Sequence, residues 1–243
     1  MTSGALHDLY EDPTTPLYVG AEPARYQGEM LAALACKAGG SLRVLDLGCG
    51  DGSTALAVLA ACSANGSNVR IVGVDWSSVA LQRARRNGFA VARASVESPG
   101  LPVADASVDV VLMSEMIEHL VDTDQALSEA RRTLVPGGTL VCSTPNLAAW
   151  YNRVLLAAGV QPAFTEVSLK GIYGRPGHEV VGHLRIFTKR ALVGLLEANG
   201  FGEVTVSGAP YHDVPRGFKG LDRLLCGLPS MASILMAKAR KTG

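Results

Sequence analysis

The feature that most constrains the fold is an alternation, between residues 41 and 144, of short β-branched apolar runs with segments of helical spacing. Successive strand–helix–strand units bury their strands on both faces and produce a parallel sheet covered by helices. The expected fold is therefore α/β, a doubly wound sheet with helices on both faces. The pattern predicts strands at 42–47, 69–74, 89–94, 108–113 and 139–143, and helices at 54–64, 78–87 and 123–134.

The segments on either side of this alternation have a different character. A helix is predicted at 22–38, within an N-terminal helical cap formed by residues 1–40. Residues 147–182 lack sheet periodicity and are too long for a plain connector, so they are interpreted as a lid or substrate-binding insertion. Residues 210–229 form a second insertion. A helix at 188–199 and strands at 203–206 and 231–238 complete the prediction, which makes residues 1–243 a single domain.

The composition argues against several classes of protein. The 22 basic side chains balance the 22 acidic ones, so the chain lacks the positive charge typical of nucleic-acid binding. Its apolar runs fall short of the roughly 18 residues that a membrane helix needs, and its first residues do not resemble a secretory signal. Five cysteines without metal-site spacing suit reduced thiols. We therefore expect a cytoplasmic protein with no nucleic-acid or membrane partner.

The strongest motif follows the first strand and reads Asp46-Leu-Gly-Cys-Gly-Asp-Gly52. Glycines allow a ligand to lie directly against the backbone, at the carboxyl ends of the strands where their order reverses. Asp75 ends the second strand, 23 residues beyond Gly52, where its carboxylate can accept two hydrogen bonds from ribose hydroxyls. The two features together predict an adenosine-type cofactor.

The glycine spacing discriminates between cofactors of this type. A dinucleotide site has the pattern G-x-G-x-x-G, with a helix N-terminus facing the pyrophosphate. In this chain the glycines stand at 48, 50 and 52, and Asp51 between them would repel a pyrophosphate. A cofactor with a cationic sulfonium and a methionine tail tolerates that acid better.

With three further segments, these motifs resemble the class I S-adenosylmethionine-dependent methyltransferases, in particular the small-molecule branch that includes quinone-ring O-methyltransferases. The resemblance covers about residues 41–207. It implies a Rossmann-like sheet of seven strands, mostly parallel with an antiparallel last strand, and S-adenosyl-L-methionine as cofactor. The three further segments are 101–112, 115–120 and 134–140.

The resemblance also implies which residues bind the cofactor. Gly48 and Gly50 would line its methionine part, with Cys49 between them and Asp46 supporting the loop.

The remaining cofactor-binding residues follow the second, third and fourth strands. By the same resemblance, Asp75 would hold the ribose and Trp76 would pack on the adenine. Ser95 and Val96 would border the adenine, and Ser114 would lie near the sulfonium. Ser95 departs from the family pattern, since many relatives have an acid there that binds the adenine amino group; a serine can still accept one hydrogen bond.

A cluster of candidate catalytic residues comes directly after the fourth strand. Glu115, Glu118 and His119 have the spacing i, i+3 and i+4, which predicts that they share one face of a helical turn. Two carboxylates and an imidazole suit a divalent metal such as magnesium, manganese or zinc. Metal-dependent relatives that methylate quinone rings or small-RNA 3′ ends have the same pattern with a later histidine, which here is His183, with His178 as a competitor.

Two mechanisms remain open at this stage. A metal held by Glu115, Glu118, His119 and His183 would bind the acceptor hydroxyl and lower its pKa. Without a metal, His119 would act as the general base, with Glu115 beside it in the catalytic site. The neutral net charge disfavours an RNA acceptor.

The expected reaction is methylation of a hydroxyl on a small molecule such as a phenol, a quinone precursor, a sugar or a secondary metabolite. The alternatives are methylation at nitrogen or carbon, an NAD-type oxidoreductase on a similar fold, and a binding protein without catalytic activity. The oligomeric state stays open, with a homodimer as one alternative. Candidates for acceptor contacts combine aromatic walls with polar anchors: Tyr10, Tyr18, Asn146, Trp150, Tyr151, Tyr173, Tyr211, His212 and Arg216.

Overall fold

The computed structural model describes residues 11, 21–64, 66–98, 100–177, 180–212 and 214–243. The candidate residues Tyr10, Tyr18 and His178 lie outside the described residues.

Seven strands and seven α-helices make up the described part of the chain. The strands are β1 (Ser41–Leu47), β2 (Asn68–Asp75), β3 (Val91–Arg93), β4 (Val108–Ser114), β5 (Leu134–Pro145), β6 (Phe201–Ala209) and β7 (Ile234–Lys241). The helices are α1 (Ala21–Lys37), α2 (Ser53–Ala64), α3 (Ser78–Arg86), α4 (Thr123–Thr133), α5 (Trp150–Ala157), α6 (Lys189–Ala198) and α7 (Lys219–Leu225). Two short 3-10 turns lie at Ile117–His119 and Arg216–Phe218.

The strands form one sheet in the order β3-β2-β1-β4-β5-β7-β6. Strands β1 to β5 pair in parallel, whereas β7 is antiparallel to both β5 and β6. The predicted fold, a mostly parallel seven-stranded sheet with an antiparallel last strand, is confirmed. Since β1 lies between β2 and β4, the strand order reverses at β1, and a ligand is expected beyond its carboxyl end.

Helices cover both faces of the sheet, which explains why the central strands β1, β4 and β5 end in continuous buried runs rather than alternating. On β1, Val44 is buried with residues of α1, α2 and α3, while Leu45 and Leu47 are buried on the opposite face with residues of α4 and α6. Burying a leucine or valine side chain contributes roughly 1.5–3 kcal/mol, so these two layers hold the strand ends in place.

The predicted elements differ from the structure mainly in the two insertions. Residues 147–182 contain α5 and residues 210–229 contain α7, although neither helix was predicted. The last strand begins at Ile234 rather than residue 231, because Trp150 N–H binds the Met231 carbonyl and draws that residue into the turn before β7. Strand β5 begins at Leu134 and therefore includes Pro136, where the sequence predicted only the end of the preceding helix. An irregularity in the pairing of β5 with β4 accommodates the proline.

None of the helices in the described part of the chain combines the length and apolarity that crossing a bilayer requires.

Candidate functional site

The glycine loop after β1 folds back against the end of β2. The N–H groups of Gly48 and Cys49 donate to the Val74 carbonyl at 2.8 and 3.2 Å. Gly48 has φ of 71°, in the left-handed region, and a Cβ added to it would lie 2.4 Å from Met116 Cγ. Glycine is therefore required at position 48 for both conformation and space, and Met116 links this loop to the segment after β4.

Asp75 organises the same loop from the end of β2. Its Oδ2 accepts the Gly50 N–H and its Oδ1 accepts the Ser77 N–H, both at 2.9 Å. Burial raises the pKa of Asp75, against the lowering effect of these backbone donors. Because a carboxylate oxygen can accept more than one hydrogen bond, Asp75 can hold the loop and also accept from ribose hydroxyls.

Two buried polar atoms near the glycine loop have no hydrogen-bond partner among the described residues: Asp46 Oδ1 and Ser53 Oγ. Asp46 is 1% exposed, and burial, with a smaller contribution from Asp75, raises its pKa to about 8. A buried polar atom without a partner is costly, so its presence in a folded protein suggests a ligand or ion that completes it. Ser53, at the start of α2, was not predicted as a site residue. Its position directly after the last glycine of the motif was a signal that could have identified it.

The residues predicted to border the adenine lie at the ends of β2 and β3. Trp76 accepts a hydrogen bond at its carbonyl from Arg93 Nε (2.9 Å). Ser95 Oγ accepts the Glu97 N–H at 3.3 Å, so its oxygen is engaged within its own turn. Val96 is buried and packs in the core.

Ser114, predicted near the sulfonium, belongs to a buried hydrogen-bond network. Its Oγ donates to Gln27 Oε1 at 3.0 Å, and Gln27 Nε2 donates to Ser143 Oγ at 3.3 Å. Ser143 Oγ in turn accepts the Glu115 N–H at 3.2 Å. Gln27, fully buried on α1, thus joins the ends of β4 and β5. It was not predicted, although a glutamine on the apolar face of a helix was a usable signal.

Glu115 departs from the helical turn that the spacing predicted. It precedes the 3-10 turn Ile117–His119 and has φ of 48°, a left-handed conformation that costs a non-glycine residue on the order of 1 kcal/mol or more. The prediction that Glu115, Glu118 and His119 share one helical face is therefore wrong for Glu115. Its buried Oε1 nonetheless has no partner among the described residues, and burial raises its pKa to about 7.

The segment after β4 carries a cluster of three titratable side chains, namely Glu118, His119 and His183. The Nε2 atoms of His119 and His183 lie 3.9 and 4.0 Å from Glu118 Oε1, and one ligand atom from each of the three residues lies within 4.8 Å of the others. The Glu118 carbonyl accepts the N–H groups of Leu184 and Arg185, which brings the segment carrying His183 to this place. The structure thus assembles three of the four predicted metal ligands, with Glu115 outside this set.

The hydrogen bonds of the two imidazoles orient them toward Glu118. His119 Nδ1 donates to the Gly182 carbonyl and His183 Nδ1 to the Phe164 carbonyl, each at 3.1 Å. With the proton on Nδ1, Nε2 of His183 is the nitrogen directed to the carboxylate, as in metal sites whose histidines are held by backbone carbonyls. His119 has the Glu115 carbonyl as a second backbone partner. Burial lowers the pKa of His119 to about 4 and of His183 to about 3, so both are neutral at pH 7.

Glu118 itself is fully buried. Its Oε2 accepts from Thr144 Oγ1 at 3.0 Å, whereas Oε1 has no hydrogen-bond partner among the described residues. Burial, and then the neighbouring Glu115, raises the pKa of Glu118. A cation bound between Glu118 Oε1 and the two imidazoles would compensate the buried charge, and this donor set suits a divalent transition metal or zinc.

The predicted acceptor contacts that the structure describes separate into three groups. Asn146 and Trp150 serve the fold: Asn146 Nδ2 donates to the Ala232 carbonyl and Trp150 Nε1 to Asp222 Oδ1. Tyr151 has a buried hydroxyl beside Ser233, and Tyr211 packs edge-on against Phe164 at 4.9 Å. Exposed on the surface are Tyr173, His212 and Arg216.

Comparison of the chain with known proteins identifies a family. A family model described as "Methyltransferase domain" matches residues 21–206. A probable S-adenosylmethionine-dependent methyltransferase of Mycolicibacterium smegmatis is 39% identical over 105 residues, which are 42% of this chain and 38% of that protein. A ubiquinone biosynthesis O-methyltransferase of Cereibacter sphaeroides is 35% identical over 111 residues, 43% of this chain and 42% of that protein. The aligned part thus spans about two-fifths of these curated relatives.

Solved structures share the fold at low identity. A methyltransferase of Thermotoga maritima, described as a possible histamine N-methyltransferase, has a TM-score of 0.58 at 20% identity and covers 90% of this chain and 91% of that one. The [4+2]-cyclase SpnF has a TM-score of 0.57 at 20% identity, with 88% and 81% covered. A cyclase on the same architecture illustrates that the fold alone does not define the reaction.

Proposed function

Because this chain belongs to the methyltransferase domain family, we propose that it transfers the methyl group of S-adenosylmethionine to a hydroxyl of a small molecule, with the help of a divalent metal. The observation that carries the proposal is the position of Glu118 Oε1. This buried oxygen has no hydrogen-bond partner among the described residues, and the Nε2 atoms of two imidazoles lie within 4.0 Å of it. This cluster adjoins the glycine loop through Met116.

The residues around the glycine loop fit the cofactor. Asp75 has acceptor capacity for two ribose hydroxyls, and the left-handed conformation of Gly48, packed against Met116, brings the glycine loop beside it. The partnerless oxygens of Asp46 and Ser53 offer polar contacts beside the loop. When bound there, the cofactor supplies a methyl group on a positively charged sulfur, which makes the leaving group already activated.

The residues after β4 fit a divalent metal. Glu118, His119 and His183 would hold it, and the buried Oε1 of Glu115 supports this residue as a further ligand or as the proton acceptor. Manganese or zinc suits one carboxylate and two imidazoles better than magnesium, which prefers oxygen ligands. The metal would lower the pKa of an acceptor hydroxyl bound to it.

A mechanism without a metal is the second candidate, in which His119 Nε2 takes the acceptor proton directly. One observation favours the metal. His183 Nε2 lies 4.0 Å from the same Glu118 oxygen that His119 faces, and a single general base does not require this second imidazole. The conformations of both rings are held by backbone carbonyls, as a preorganised ligand set requires.

The chain's own contribution to the reaction is alignment, exclusion of water and removal of a proton. Glu118 and His183 are buried, so a hydroxyl that reaches them leaves bulk water behind. The Tyr151 hydroxyl offers a polar contact for the acceptor, and the rings of Phe164 and Tyr211 form an apolar wall beside His183. These features support a small, partly apolar acceptor such as a phenol, a quinone precursor or another secondary metabolite; a sugar is the more polar alternative. A cytoplasmic location remains a prediction from composition.

Calorimetry and methyl transfer test the proposal together. We expect S-adenosylhomocysteine to bind, and transfer to a panel of small hydroxyl compounds to stop with EDTA and return with Mn²⁺ or Zn²⁺. Glu118→Gln should weaken metal binding and leave the binding of S-adenosylhomocysteine unchanged. Glu197→Gln, which removes an exposed carboxylate on α6, is the matched control and should change neither. Undiminished transfer in EDTA would leave the direct-base mechanism, and absence of S-adenosylhomocysteine binding would overturn the proposal.

A further inference from the structure

Helix α7 (Lys219–Leu225) has the reverse of the usual distribution of polar and apolar residues. Its one buried residue is Asp222, which is 1% exposed. Leu221 and Leu224 of the same helix are 42% and 74% exposed. A surface helix normally turns its apolar stripe to the core and its charges to solvent, so this orientation needs a specific cause.

The cause is a set of hydrogen bonds that holds Asp222 inside. Its Oδ1 accepts from Trp150 Nε1 at 2.9 Å and from the Ser233 hydroxyl, and its Oδ2 accepts the Tyr211 N–H at 3.1 Å. These donors come from α5, the turn before β7 and the end of β6. A buried carboxylate with three donors is expensive to release, so the outward orientation of the leucines is a fixed property of the fold.

The exposed apolar side chains of this region form what we call the α7 patch: Phe218, Leu221, Leu224 and Leu228. Their exposed fractions are 51, 42, 74 and 58%. The Phe218 ring lies 5.8 Å from the ring of Trp150, which anchors the patch to the residue that binds Asp222. The four residues follow one another at spacings of three, three and four, which places them on neighbouring turns, and exposed apolar side chains grouped in this way are typical of an interaction surface.

The charges around the patch indicate what covers it. Arg216 and Lys219 are exposed, and among the described residues from 214 to 233 the one acid, Asp222, is buried; Asp213 lies outside the described residues. A two-fold contact between two copies through the α7 patch would set these positive charges against their own equivalents. An anionic surface complements them instead.

We propose that the α7 patch docks this protein on an anionic lipid surface. Phe218, Leu221, Leu224 and Leu228 would enter the boundary between headgroups and acyl chains, while Arg216 and Lys219 contact the headgroups. The inference is independent of the proposed methyl transfer. It departs from the expectation, drawn from composition, that membranes play no part for this protein, since a docked patch requires neither a spanning helix nor a positive net charge.

Vesicle co-sedimentation of the 243-residue protein tests the proposal. We expect it to sediment with vesicles of phosphatidylcholine and phosphatidylglycerol in equal parts, to remain in solution with phosphatidylcholine alone, and to be released by high salt. Leu224→Asp should reduce partitioning roughly tenfold or more, because it replaces an inserted leucine. Lys219→Gln should reduce it about fivefold, the effect of one basic residue near an anionic membrane.

The control is Val72→Asp, which introduces the same charge at an apolar position that is 45% exposed on β2, separated from β7 by β1, β4 and β5. With the melting temperature of each variant verified, this control should partition like the unaltered protein. Equal sedimentation with both kinds of vesicle, or no effect of Leu224→Asp, would overturn the proposal. So would a dimer in analytical ultracentrifugation that Leu224→Asp converts to monomer, which would assign the α7 patch to a second copy.

Discussion

The carboxyl ends of β1 and β2 and the carboxyl ends of β4 and β5 carry two halves of the candidate site that are built differently. In the first half, backbone N–H groups of the glycine loop bond to Val74 and Asp75, and the participating residues lie within about 30 positions of one another. In the second half, Glu118 lies beside His183, which follows the insertion 147–182, and Gln27 of α1 hydrogen-bonds to Ser114 and Ser143.

Under the proposed function, the first half would bind the cofactor and the second would carry out the chemistry. The first half offers shape and acceptors to a ligand, and close packing leaves it little freedom. The second half holds buried groups whose hydrogen-bonding capacity is incomplete, namely Glu115 Oε1 and Glu118 Oε1. Groups of this kind are typical of catalytic or metal sites. Variants that damage one half and spare the other are therefore the direct test of the comparison.

The largest effect is expected from Gly48→Ala. The added Cβ would meet Met116 Cγ at 2.4 Å in a left-handed conformation, so we expect a loss of roughly 2–4 kcal/mol in the free energy of unfolding and loss of S-adenosylhomocysteine binding. Gly66→Ala is the matched control, since Gly66 has φ of 70° and no atom within 4 Å of the added Cβ. It should cost only about 1 kcal/mol and leave binding intact. Equal effects of the two substitutions in denaturant unfolding would contradict this account.

Asp222→Ala is expected to have the next largest effect on the free energy of unfolding. It tests whether Asp222 holds in place the insertions that surround the second half. It leaves Trp150 Nε1 and the Ser233 hydroxyl without their acceptor. The expected loss is about 2–3 kcal/mol in the free energy of unfolding, together with a changed Trp fluorescence. Asp122→Ala, which removes the N-cap acceptor of the exposed start of α4, provides a comparison at about 1 kcal/mol. A smaller loss for Asp222→Ala than for Asp122→Ala would mean that Asp222 does not hold the insertions.

His183→Ala tests whether the second half can be damaged while the first half stays intact. It removes one imidazole from the cluster with Glu118, and we expect metal affinity to fall at least 10–100-fold while S-adenosylhomocysteine binds as before. His212→Ala, at an exposed histidine, is the control and should leave metal affinity unchanged. Calorimetric titration with Zn²⁺ and with S-adenosylhomocysteine measures both quantities on the same samples. A parallel loss of both affinities would show that the two halves are not separable.

The last prediction concerns the first half and the dependence of the free energy of unfolding on pH. Burial raises the pKa of Asp46 to about 8, above the value of an unfolded aspartate, so between these pKa values the folded state binds a proton that the unfolded state releases. The free energy of unfolding should therefore fall as pH rises from about 5 to about 8, by at most about 1.4 kcal/mol per pH unit. Asp46→Asn should flatten this slope in denaturant unfolding at several pH values. A slope that persists unchanged in the variant would mean that another group is responsible.

The sequence predicted most of the sheet and the first half of the site, because both depend on local pattern. Apolar runs with β-branched residues predicted the strands, and the glycines with Asp75 predicted the loop and its partner. It failed where tertiary contacts override local preference. Glu115 adopts a left-handed conformation that no spacing rule predicts, and α7 has an inward aspartate and outward leucines, the reverse of the pattern used to recognise a helix.

Sequence alone thus determined the class of fold, the family resemblance and the glycine loop with its partner Asp75, since the residues concerned are close in the chain and each has a conformational or hydrogen-bonding requirement of its own. Only the tertiary structure decided that His183 faces Glu118, that Gln27 joins Ser114 to Ser143, and that Asp222 turns α7 outward. These contacts join residues 65 to 116 positions apart in the chain. Their free energy depends on packing and desolvation, which a one-dimensional pattern does not contain.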